Sequence, residues 1–107
     1  MILTTTETVP GRATASILGI VRGSTVRARH LGRDIKAALR NMVGGEVSEY
    51  TKMLAESREQ ALDRMRDQAV AMGADAVVMV RFSTSSAMQG AAEIVAYGTA
   101  VKLAPEA

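Results

Sequence analysis

Hydrophobic and polar positions along this chain of 107 residues follow two different periods, and the switches between them mark out the elements. Residues 2–9 and 13–28 are rich in Thr, Val and Ile and flank Pro10-Gly11, a turn-favouring pair, so they predict the two strands of a hairpin. Within the second, Ile17-Leu18-Gly19-Ile20-Val21 is apolar throughout, which predicts a strand covered on both faces, with Gly19 and Gly23 admitting a bend or bulge. Ile35, Ala38, Leu39, Met42 and Val43 then recur at spacings of three and four, the mark of one helical face. Gly44-Gly45 closes that short helix, because glycine tolerates the left-handed conformation of a C-terminal cap.

The longest periodic segment runs from Val47 to Met72. Val47, Tyr50, Leu54, Ala61, Met65, Ala69 and Met72 keep the helical period, Ser48 is placed to cap its start, and Gly73 ends it. Lys52, Glu56, Glu59, Asp63, Arg64, Arg66 and Asp67 make up the other face, which predicts exposure to water. Arg58 falls inside the apolar stripe, where a guanidinium has to reach outward along its stem or pair with a carboxylate.

Beyond Gly73-Ala74-Asp75 the period changes to two, with Ala76, Val78, Val80 and Phe82 on one face and Val77, Met79, Arg81 and Ser83 on the other. Residues 83–90 are polar and read as a loop, and Ile94 to Leu103 as a second long strand paired antiparallel with the first. Gly98, inside that last strand, marks a bulge or a close backbone approach, in an assembly an approach by a neighbouring subunit. The whole reads as one α+β domain over residues 1–107, an antiparallel sheet packed on one long and one short helix.

The junction Gly73-Ala74-Asp75-Ala76-Val77-Val78, taken with Gly44-Gly45, Tyr50, Arg58, Ala61 and Gly98-Thr99-Ala100-Val101, resembles the YbjQ-like family of small bacterial and archaeal proteins. The resemblance runs from the first strand to Leu103. It implies a β-α-β-β unit like the dodecin subunit, assembled as a ring-shaped homopentamer. It also brings a heavy-metal-binding label, and the residues of this chain bear on that label directly. Cysteine is absent and His30 is the single histidine, so the soft ligands that select heavy metals are missing. His30 and Asp34 form one His/carboxylate pair at helical spacing, which is two ligands where a stable site needs three or four.

Composition narrows the remaining choices. Without cysteine there are no disulfides, thiolate sites or cysteine nucleophiles, and the expected setting is the cytoplasm. No segment reads as a signal peptide, and no apolar run approaches the length of a membrane span. The apolar residues make 48% of the chain, but aromatics are few, so burial is expected to be completed against further copies of the same chain.

Residues 1–45 carry seven Lys/Arg against two acids, and residues 46–107 six against nine, giving +5 and −3. The basic part includes Arg27, Arg29, His30, Arg33, Lys36 and Arg40. It predicts a complement to the acidic helix, with weak polyanion or nucleic-acid binding as the alternative. The serines of residues 83–86 have neither a nearby histidine nor a glycine elbow, and Gly44-Gly45 lacks the Lys-Ser/Thr of a phosphate loop. The reading is therefore of a non-enzymatic homo-oligomer without a cofactor that holds a small ligand or ion at subunit interfaces, or alternatively of a metal-ion binder. Gly44, Gly45, Tyr50, Arg58, Asp75 and Gly98 are the candidate interface or ligand residues, and Tyr50 and Arg58, two helical turns apart, suit a small anion.

Overall fold

The computed structural model describes residues 1–28, 48–88 and 91–106. Four strands, β1 (Ile2–Leu3), β2 (Thr14–Ala28), β3 (Ala76–Met88) and β4 (Ala91–Leu103), form one mixed sheet in the order β1-β3-β4-β2, and the helix α1 (Ser48–Ala71) lies across it. The short helix expected around Ile35 to Val43 falls outside the described residues.

Helix α1 ends as its sequence predicts. Gly73 has φ +78°, its N–H donates to Val70 O at 2.9 Å, and the Ala74 N–H donates to Ala69 O at 3.1 Å. Those two bonds are the Schellman pair that satisfies the last carbonyls of a helix, and they hand the chain to β3 within three residues.

The expected hairpin of the first two strands is not formed. β1 pairs in parallel with β3 through Ile2↔Ala76 and Leu3↔Val77, at the opposite edge of the sheet from β2, so the sheet is mixed rather than antiparallel. The cause lies in the threonines that follow. Thr4 Oγ1 accepts from Thr6 N at 3.2 Å, and Thr6 Oγ1 donates to Thr8 O at 2.6 Å. Such local side-chain bonds compete with an extended strand, so regular pairing stops at Leu3 although the carbonyls of Thr4 and Thr6 still accept from β3. Pro10-Gly11 does turn the chain, with Gly11 at φ +82° and a Val9↔Arg12 bridge, but it joins a loop to β2.

Two further expectations are corrected along the sheet. The polar run Ser83 to Ser86 is strand, paired with β4 through Ser83↔Val95, Thr84↔Ile94, Ser85↔Glu93 and Ser86↔Ala92. The alternation of β3 is broken at Met79, which adopts φ +56° where the register slips between Val78↔Thr99 and Arg81↔Tyr97. This bulge places two residues opposite one and reverses the pleat. Val77 and Val80 face the helix, whereas Ala76 and Val78 pack on the other face.

Two glycines permit these packings. A Cβ on Gly98 would lie 2.7 Å from Val77 Cγ1 and 2.9 Å from Val78 O, so the strand opposite the bulge has room only for hydrogen. The close approach at Gly98 is thus made within the chain, by β3. Gly23 sits beneath α1, where a Cβ would collide with Ala61 O and Met65 N. It is no bulge; it is where helix backbone rests on strand backbone.

The main core lies between α1 and the sheet, built from Val21, Ala61, Met65, Ala69, Val77, Val80, Ile94, Ala96 and Ala100. Ser57, fully buried, takes the stripe position expected for Arg58, and its carbonyl accepts from Thr25 Oγ1 at 3.3 Å. Arg58 is exposed. On the opposite face Val9 packs on Ala76, Val78, Val101 and Leu103 at one end of the sheet. The rest of that face is open: Ile17 and Ile20 are 73% and 77% exposed, so β2 is covered on one side rather than two.

Candidate functional site

The residues singled out from the sequence do not converge. Gly44, Gly45, His30 and Asp34 lie outside the described residues, as do Arg29, Arg33 and Arg40 of the basic segment. Tyr50 belongs to the first turn of α1, and Arg27 to the end of β2. Of the remaining three, Asp75 acts at the helix-to-strand junction. Its Oδ2 accepts from Leu103 N at 2.9 Å, its own N–H donates to Val101 O at 2.9 Å, and Lys102 Nζ stands 3.9 Å from Oδ1. Asp75 therefore ties the end of β4 to the start of β3. Gly98 is buried in mid-sheet. Arg58 follows Ser57, which stands over Thr25, itself level with Ile94 on β4. From Leu103 to Ile94 is nine residues of strand, about 30 Å at ~3.3 Å each, so Asp75 and Arg58 cannot serve one small ligand.

Three other groupings emerge from the fold. The first is the outer edge of β2. Gln68 Oε1 accepts from Arg22 N at 2.7 Å, and Arg64 Nη1 donates to Ser24 O at 2.6 Å, so side chains of α1 occupy backbone groups that an edge strand otherwise offers to another chain. The second is the outer edge of β3, along which the chain from β1 extends only as far as Met79 and Val80, whose N–H groups donate to Thr6 O and Thr4 O at 3.0 Å each. Beyond it, residues 81–86 are exposed. Beside this edge lies a groove of about 210 Å³ lined by Leu3, Thr4, Thr5, Leu62, Val80 and Phe82, with Phe82 44% exposed.

The third grouping is on the open face of the sheet. Arg22 of β2 and Arg81 of β3 stand directly across from Tyr97 of β4, one on each side. All three are exposed. No sequence spacing reveals this row, since its members lie far apart and only the strand register, including the bulge at Met79, aligns them.

For a metal, the described residues offer no donor set that fits the family label. Among the described residues no group of three or more His, Cys, Asp or Glu side chains is placed to hold an ion. Glu56, Glu59 and Asp63 share one side of α1, but Asp63 is bonded to Arg66 at 3.1 Å, and no thiolate exists anywhere in the sequence. Also among the described residues, no helix is long and apolar enough to cross a membrane.

Taken together, a mixed four-stranded sheet crossed by one long helix defines a small α+β protein. The same fold occurs in a crystal structure of a DUF74-family protein from Pediococcus pentosaceus, at a TM-score of 0.65 and 16% identity, covering 97% of this chain and 98% of that one. The family model described as "Putative heavy-metal-binding" matches residues 1–104. UPF0145 proteins of Archaeoglobus fulgidus and Methanoculleus marisnigri are 62% and 61% identical, covering 96% and 98% of this chain and 95% and 98% of theirs. One from Thermus thermophilus is 56% identical, over 98% of this chain and 92% of its own. The chain belongs to the YbjQ-like UPF0145 family.

Proposed function

We propose that this protein is a non-enzymatic cytoplasmic homo-oligomer, a ring of five in the form its family resemblance implies, which holds a small ligand between or beside its subunits. The observation that carries the reading is exposed apolar surface on the described residues: Ile17 and Ile20 are 73% and 77% exposed on the open face of the sheet, and Phe82 is 44% exposed beside the free part of the β3 edge.

A ring requires two different surfaces on each subunit. The groove at Phe82 with the adjoining β3 edge supplies one, and the exposed pair Ile17 and Ile20 on β2 supplies an apolar partner for it. Light scattering over a dilution series tests the reading. The wild type is expected to keep a multiple of the subunit mass at micromolar concentration, and Phe82→Asp and Ile20→Asp are each expected to lower it. A monomeric wild type, or mass unchanged in both variants, overturns it.

Among the described residues no donor set supports the metal reading.

A further inference from the structure

We infer that the open face of the sheet carries a nucleotide site, in which a base stacks on Tyr97 while Arg22 and Arg81 hold the attached phosphates. The inference is drawn from the single subunit, and its row adjoins Ile20, which stands one row away on the same face.

It starts from the strand register. Arg22↔Tyr97 and Arg81↔Tyr97 are directly opposed pairs, which places each arginine about 5 Å at Cβ from the tyrosine on the same face. The face is not covered there, for Tyr97 is 40% exposed and both arginines are exposed. Neither cation is neutralised by a carboxylate among the described residues, whose ion pairs are Arg66–Asp63 and Lys102–Asp75. The nearest acid on the same face of β4, Glu93, stands four residues along the strand, about 13 Å away.

Arg81 is already held in place. Its Nη1 donates to Thr5 O at 2.9 Å and to Val80 O at 2.8 Å, which leaves Nη2 and Nε for a further acceptor at little extra cost in side-chain entropy. The Arg22 side chain makes no hydrogen bond among the described residues, while its backbone is fixed by Gln68. Ser24 and Ser83 follow in the next row, on either side of Val95, and supply hydroxyls within the same face.

A flat ring flanked by two guanidinium groups selects a ligand that is itself flat and anionic. Stacking an aromatic side chain on a base is worth about 1–3 kcal/mol and tolerates any base, and guanidinium matches phosphate geometry in a bidentate manner. One tyrosine in the row gives one base per subunit. A free nucleotide and one residue of a single strand present the same chemistry, and a test with both separates them.

Calorimetric titration with ADP, pyrophosphate, adenosine and a ten-residue oligouridylate, alongside variants checked by circular dichroism and light scattering, decides the matter. ADP is expected to bind more tightly than either pyrophosphate or adenosine. Tyr97→Leu is expected to weaken ADP binding at least fivefold and Tyr97→Phe to retain it. Arg22→Ala and Arg81→Ala are each expected to lose about tenfold, the equivalent of one charge-assisted contact. Arg66→Ala, on the exposed side of α1, is expected to change nothing. Equal affinity for ADP and for the oligomer per nucleotide identifies a free nucleotide; affinity rising with strand length and falling steeply with salt identifies a strand. Absence of saturable binding of ADP and oligomer at millimolar concentration, or equal binding by folded Tyr97→Leu, overturns the site.

Discussion

An alanine at Gly23 would drive its methyl group into the backbone of α1 at Ala61 O and Met65 N, and would stand 2.7 Å from Arg64 Cβ. Backbone cannot rotate away as a side chain can, so the helix has to lift. The expected loss is about 1–3 kcal/mol, read as a lower midpoint in urea unfolding. Gly98→Val acts in the same way against Val77 and Val78 O of the neighbouring strand, and its loss is expected to be the larger, with two further methyl groups to place. Arg58→Ala supplies the contrast: the side chain is exposed, and stability is expected to stay within about 0.5 kcal/mol. A loss of several kcal/mol there would mean that Arg58 is held by another subunit.

At the scale of elements, the helix stop is a property of one residue whose effect on stability can be isolated. Nothing lies within 4 Å of a Cβ added at Gly73, so Gly73→Ala meets only the backbone cost of a left-handed φ, about 1–2 kcal/mol, with no steric contribution. Asp75→Ala removes the carboxylate that accepts from Leu103 N, and a loss of about 1 kcal/mol is expected by the same unfolding measurement, whereas Asp75→Asn keeps an acceptor and is expected to lose less.

The helix, its glycine stop and the two long strands were legible because each depends on neighbours within a turn or a strand. The partner of β1 was not, because pairing is a long-range choice and the threonine bonds that decide it are side-chain geometry. The bulge at Met79 hid for a similar reason: its residue types fit unbroken alternation, and only the opposing Gly98 hinted at a close approach there. Arg58 was misplaced by one position, since Ser57 looks polar in a sequence and yet is small enough to be buried with its neighbours satisfied.

For the whole molecule, the label borne by the family and the chemistry of this chain point in different directions. Exhaustive chelation is expected to leave the melting temperature unchanged, because no described donor group couples metal binding to folding. A fall of more than a few degrees, restored by one added metal, would show a site assembled from other residues or between subunits. The candidate site was less legible than the fold: the residues chosen from the sequence lie in separate regions, and the rows on the open face exist only once three strands are aligned.

The capped edge of β2 gives the sheet a direction. Gln68 and Arg64 stopper the middle of one border, at Arg22 N and Ser24 O, while the far half of β3 stays exposed on the other. The β3 edge of one subunit is thereby discouraged from taking the β2 edge of the next, so a ring contact has to set that edge against a face, and strand-to-strand addition has no ready route to an endless fibril. Removing the stoppers together, as in Arg64→Ala with Gln68→Ala, should convert a closed assembly into one that elongates, visible as thioflavin-positive material on prolonged incubation where the unaltered protein gives none.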